Sequence, residues 1–173
     1  LWAVNILARE VTRWNVACDR RLHRLISYLN HTKHCTLHCY VGDTPDKCHL
    51  AYFADASFAG DLRDSKSTGG GVLVLMGPNT YVPITWVCKK QSAVSHSTSE
   101  SEIISLETGT RMEALPALMF WDSVCEIYSK TPSNNYRAGK PIPPPRPVLD
   151  VDYVIPSAPA PFGHAKLVLL EDN

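Results

Sequence analysis

The stretch "AYFADASFAGD", residues 51–61, decides the fold. A short apolar run ends on Asp55, and a second aspartate, Asp61, follows six residues on. A strand that heads into a core should not end on a carboxylate unless something keeps that charge, because burying an unpaired carboxylate is costly. The neighbouring sequence supplies the partners of this strand. "LAYFAD" (50–55) is one strand, and "GGGVLVLM" (69–76), almost wholly apolar, is a second and central one. "GPNT" (77–80) reads as a turn and "YVPITWVC" (81–88) as a third strand. A connection that short implies antiparallel pairing.

On either side of the strands the texture is helical. In "CDRRLHRLISYL" (18–29), Leu22, Leu25, Ile26 and Leu29 recur at i, i+3, i+4 and i+7, with the arginines mostly on the other side. The spacing predicts a helix within residues 2–29, with Asp19 near the start of that stretch and Asn30 and Thr32 as its stop. "CTLHCYV" (35–41) alternates and reads as a strand. From Ser97, "STSESEIISLETGTRMEAL" reads as a helix opened by Ser or Thr, which Pro116 should kink or end before "ALMFWDSVCEIY" continues as a second stretch.

Residues 131–163 hold nine of the chain's 13 prolines and read as an extended insertion, a spacer rather than a ligand for an SH3-type module. Beyond them "AKLVLLEDN" is one more strand, again ending in acids. Both chain ends look like cuts through a longer polypeptide.

At 173 residues the chain holds one domain with a real core and an appendage. Hydrophobic content of 45% with 20% charged residues marks a globular chain. No apolar run reaches the length of a membrane span, so no membrane partner is expected. The net charge is zero, which argues against retention on nucleic acid by bulk electrostatics. Residues 1–40 nevertheless carry six cations against two acids, a cluster equally suited to phosphates and to a solvated helix face. The six cysteines form no CxxC pair and read as reduced thiols, mostly packed as small apolar groups, in an intracellular protein.

Glu100, Glu102, Glu107 and Glu113 share the helix after Ser97, and its geometry separates them. Glu102 falls on one face with Leu106, Gly109 and Glu113, toward the sheet. Glu100 lies opposite, with the i, i+4 pair Glu107 and Arg111. Asp55, Glu102 and Asp172 are therefore acids from three separate elements, each where burial penalises it. Oxygen-only ligation of that kind suits Mg²⁺ or Mn²⁺, and two such ions activate a water and stabilise the leaving oxygen in phosphodiester cleavage. Patterning alone also leaves open, and favours, Asp55 as a turn or cap residue and Asp172 as a chain-end acid.

"FADASFAGDLRDSKSTGGGVLVL" (53–75) followed by "ITWVCKKQSAVSHSTSESEIISL" (84–106) resembles the ribonuclease H region of copia-type retrotransposon polyproteins. That family shows D-A-D-W-A-G-D, K-S-T-S-G, S-W-x-S-K-K-Q and S-T-E-A-E-Y segments in this order and spacing. "CDRRLHRLISYLNHT" (18–32) also resembles the stretch joining reverse transcriptase to ribonuclease H, and "LVLLEDN" is similar to the family's strand ending C-D-N. The resemblance implies an α/β (α+β) ribonuclease H-like fold, incomplete at the C-terminus: a mixed sheet of three antiparallel strands continued by parallel ones and flanked by helices. Residues 1–41 would be the reverse transcriptase tail, 50–130 the core, 131–163 the insertion, and 164–173 a returning core strand.

The implied activity is cleavage of the RNA strand of an RNA–DNA hybrid with two Mg²⁺ ions, in a cytoplasmic particle or the nucleus. Its partners are the hybrid and the rest of the polyprotein. Carried over by position, Asp55, Glu102 and Asp172 are the catalytic metal ligands. Lys66, Ser67, Thr68, Lys89 and Lys90 fall near the substrate path. Ser57, Phe58 and Ser99 depart from the family's Asp, Trp and Thr without removing a ligand. The family's fourth carboxylate would lie beyond Asn173, so the resemblance also implies weak or absent activity for these residues alone. A catalytically silent scaffold using the proline-rich insertion is the competing expectation.

Three other patterns carry less. "HTKHCTLHC" (31–39) offers zinc donors, but alternation along a strand splits them between two sides. "STGGG" (67–71) lacks the lysine of a P-loop and leads into a strand. Ser95, His96 and Asp55 come with no oxyanion motif, so a hydrolytic triad is not expected. Trp86 is expected in the core.

Overall fold

The structure, a computed structural model, describes residues 1–61, 63–128 and 165–171. Helices α1 (Trp2–Arg9) and α2 (Val16–Thr32) precede a two-residue strand β1 (Tyr40–Val41). Strands β2 (His49–Ser57), β3 (Thr68–Gly77) and β4 (Thr80–Lys90) follow, then helices α3 (Thr98–Gly109) and α4 (Leu115–Tyr128), and finally β5 (Leu167–Leu170). The sheet runs β1-β4-β3-β2-β5. Its β1–β4, β4–β3 and β3–β2 pairs are antiparallel, whereas β2 and β5 run parallel. This is a mixed α+β architecture with β3 at its centre.

The hydrophobic effect selects one face of the sheet for the helices. Leu50, Tyr52 and Ala54 of β2 and Leu73 and Leu75 of β3 are buried there, beneath Leu106, Ala114, Leu118 and Trp121. On the other face, register aligns Leu170, Phe53, Val72 and Trp86 in a row across four strands. Every member of that row is more than a third exposed. Trp86, expected in the core, is half exposed, because strand alternation puts it on the face away from α3 and α4.

The N-terminal helical segment is two helices rather than one. A 3₁₀ turn (Val11–Arg13) separates them, and Asn15 caps α2 by accepting from the Ala17 and Cys18 amides. The helix ends at Thr32, at the expected stop. In α2 only Cys18 is buried. Residues 35–39, expected as a strand, are irregular, and pairing begins only at Tyr40, opposite Tyr81. Asp43 holds the β3–β4 turn, accepting from the Asn79 amide (2.6 Å) and the Thr80 hydroxyl (2.8 Å). Burial raises its pKa, but these bonds outweigh that and leave it lowered.

Pro116 does not end the helical path. It lies in the first turn of α4, where its missing N–H matters least, and a π-helical turn (Thr110–Ala114) absorbs the change between α3 and α4. Of the cysteines, Cys18, Cys48 and Cys125 are buried, Cys88 is half-buried, Cys35 and Cys39 are exposed, and all are free thiols. The proline-rich stretch 131–163 lies outside the described residues. No helix among the described residues is long and apolar enough to cross a membrane.

Candidate active site

Small residues bring α3 down onto β2. Ser101, Glu102, Ser105 and Gly109 form its buried stripe, while Ile103 is exposed. A Cβ on Gly69 would collide with the Ser105 side chain, and one on Gly109 would land on the Tyr52 ring. The helix therefore approaches closely enough for the Ser105 hydroxyl to donate to the Asp55 carbonyl (2.9 Å) and the Gly70 carbonyl (3.2 Å). Glu102, one turn earlier on the same stripe, is 4% exposed. The helix geometry thus selects the same glutamate that sequence periodicity selects. Glu100 caps instead, receiving the His96 amide while Ser97 receives the Glu100 amide.

Asp55 is exposed on β2, opposite Gly70. Its neighbours Ala54 and Ala56 are buried on the helix side, so its side chain starts from the other face. Parallel pairing of β2 with β5 stops at Phe53 and Leu170, two residues short of Asp55. Among the described residues none pairs with that edge of β2 from Ala54 to Ser57. Glu171, just past β5, is half-buried, and Asp172 lies outside the described residues. Among the described residues no three His, Cys, Asp or Glu side chains are grouped to hold a metal ion.

The residues expected along the substrate path divide sharply. Lys90 is committed to the protein, pairing with Asp61 (2.5 Å) and Asp64 (2.7 Å). Its hydrogen bonds to both raise its pKa, and the bond from Lys90 is the largest cause of the lowered Asp61 and Asp64 pKa values. Ser67 is fully buried and accepts from the Ala59 amide. Thr68, also buried, accepts from Arg9 (3.5 Å). Lys66 is half-buried, and only Lys89 is exposed.

Besides the Arg9–Thr68 bond, three contacts tie the N-terminal helix and its C-cap to this end of the sheet. Arg9 approaches Asp61 at 3.5 Å, Arg63 grips Glu10 through both carboxylate oxygens (2.6 and 3.1 Å), and Asn5 donates to the Cys88 carbonyl (2.9 Å). Sequence reading misses this docking, because its partners are up to 83 residues apart. The helix-borne Ser105 is missed as well, since a serine on a packing face gives no periodic signal.

The chain is 32% identical over 119 residues to the "Retrovirus-related Pol polyprotein from transposon RE1" of Arabidopsis thaliana, an alignment covering 68% of the chain. It spans 8% of that relative's length. The similarity supports an origin in a retrotransposon Pol polyprotein. No protein-family profile matches the chain, and no solved structure matches it.

Proposed function

We propose that this chain is the ribonuclease H segment of a retrotransposon Pol polyprotein, preceded by the tail of its reverse transcriptase, and that it cleaves the RNA strand of RNA–DNA hybrids inside the cell. One observation carries the reading: the helix bearing the buried Glu102 is bolted by Ser105 to the backbone of Asp55 itself. The sheet adds support, with three antiparallel strands continued by a parallel one beside the strand that carries Asp55.

The donor chemistry fits hard divalent ions. Glu102 is a carboxylate kept almost wholly out of water, and Asp55 is a second, exposed one on the neighbouring strand. Asp55, Glu102 and Asp172 are the proposed ligands of two Mg²⁺ or Mn²⁺ ions, with Glu102 reaching from the helix side and Asp55 from the open face. Those ions supply the activation of water and the charge stabilisation of the departing 3′ oxygen. The protein contributes fixed positions, because Asp55 sits within a nine-pair antiparallel ladder and Glu102 on a stripe locked by Ser105 and Gly109.

The test is cleavage of the RNA strand in a hybrid duplex with Mg²⁺ by a polypeptide that continues past Asn173, against single-stranded RNA as control. Hybrid-specific cleavage is expected, falling at least about 100-fold in Asp55→Asn. Undiminished cleavage by that variant overturns the assignment.

A further inference from the structure

A second polar concavity lies on the helix side of the sheet, between the end of β4 and the last turn of α3. Lys89 and Arg111 line it from two elements, and Ser92, Thr108 and the ion-paired Lys90 also form its wall. Its volume is about 160 Å³. We propose that this cleft holds a backbone phosphate of the bound nucleic acid, with Lys89 and Arg111 as its cations. The inference rests on the ribonuclease reading and extends it to how the substrate is held.

The two adjacent lysines meet different fates. Lys90 is neutralised by Asp61 and Asp64, whereas Lys89 has no ion pair among the described residues. Arg111 pairs with Glu107 at 2.9 Å, but both side chains are about two-thirds exposed. Such a pair is weak and yields readily to a better anion. A planar guanidinium then offers two parallel donors to phosphate oxygens, beside the point charge of a lysine.

Position supports the same use. Lys89 pairs with Gly69, which pairs with Ala56, the neighbour of Asp55. Two strand spacings separate them, roughly 10 Å. Asp55 itself starts from the opposite face, but Ser105, which lines the cleft, lies one turn from Glu102 on the same buried stripe, so a strand that reaches Glu102 passes this cleft. Cations of this kind add affinity irrespective of base sequence, through counterion release.

The experiment is fluorescence anisotropy of a labelled RNA–DNA hybrid, without divalent ions, at 50–200 mM KCl. The proteins compared are the unsubstituted chain, Lys89→Ala, Arg111→Ala, the pair and Glu107→Gln. Each cation removed should flatten the log K against log salt slope by about 0.7–0.9 and weaken binding about five- to tenfold near 100 mM. Glu107→Gln, which frees Arg111, should tighten it. Slopes and affinities equal to those of the unsubstituted chain, in variants that melt normally, overturn this inference while leaving the nuclease reading intact. No hybrid binding by the unsubstituted chain overturns both.

Discussion

The Ser105 hydroxyl donates to the main-chain carbonyl of Asp55 at 2.9 Å, and to that of Gly70 across the ladder at 3.2 Å. One side chain thus joins a helix to two strands at the residue on which the proposed chemistry turns. Removing it by Ser105→Ala leaves two strand carbonyls without their helix-borne donor. The expected loss is about 1–2 kcal/mol in urea unfolding. A loss of activity larger than that stability change accounts for would show that the contact also positions Asp55. Stability equal to the unsubstituted protein would refute the role given to this serine.

Gly109 is where α3 passes over Tyr52, and Gly109→Ala should destabilise by about 1–3 kcal/mol through overpacking. Tyr52 itself makes the opposite prediction. Its hydroxyl is buried with no hydrogen-bond partner among the described residues, and burial, with Glu113 nearby, raises its pKa. Tyr52→Phe should therefore be neutral or stabilising by up to about 1 kcal/mol. A clear loss on thermal melting would reveal a partner for the hydroxyl.

Asp61 sets a pH dependence for the docking of α1. Its pKa lies below the ordinary 3.8, held there first by the hydrogen bond from Lys90 and further by the Arg63 amide and Arg9. A depressed carboxylate contributes stability that is fully present above its unfolded pKa and disappears as pH falls through the folded value. Amide exchange of residues 5–9 should thus stay slow relative to β3 down to about pH 4 and quicken below it. Asp61→Asn should quicken it at neutral pH and remove the step. An unchanged exchange profile in that variant would mean that Asp61 does not hold the helix.

Trp86 and Leu73 lie on opposite faces, and truncation should separate them. Trp86→Ser, at a half-exposed position, is expected to cost under about 1 kcal/mol. Leu73→Ala, at a fully buried one, should cost about 2–5 kcal/mol. Chemical denaturation reads both, and equal costs would place Trp86 inside a core after all.

Residues 50–90 are legible from sequence because alternation and the "GPNT" turn are local signals: the strands, the hairpin and the central place of β3 follow from them. Glu102 is legible for the same reason, since a period of 3.6 separates it from Glu100. Local signals fail where tertiary context decides. The break between α1 and α2 rests on the cap at Asn15, and the irregular 35–39 stretch alternates as a strand does but finds no partner before Tyr40. Trp86 misleads because an aromatic residue in a strand has the same local pattern on either face. The different fates of Lys89 and Lys90 depend on Asp61 and Asp64, more than 25 residues upstream, and no periodicity announces them.

The central claim, that Asp55 and Glu102 belong to one divalent-cation site, is tested most directly by counting bound Mn²⁺ by electron paramagnetic resonance, without any turnover. Two ions per chain are expected for the unsubstituted protein, with the loss of at least one in Asp55→Asn and likewise in Glu102→Gln, both still folded. Mn²⁺ binding that is the same in all three proteins would contradict it.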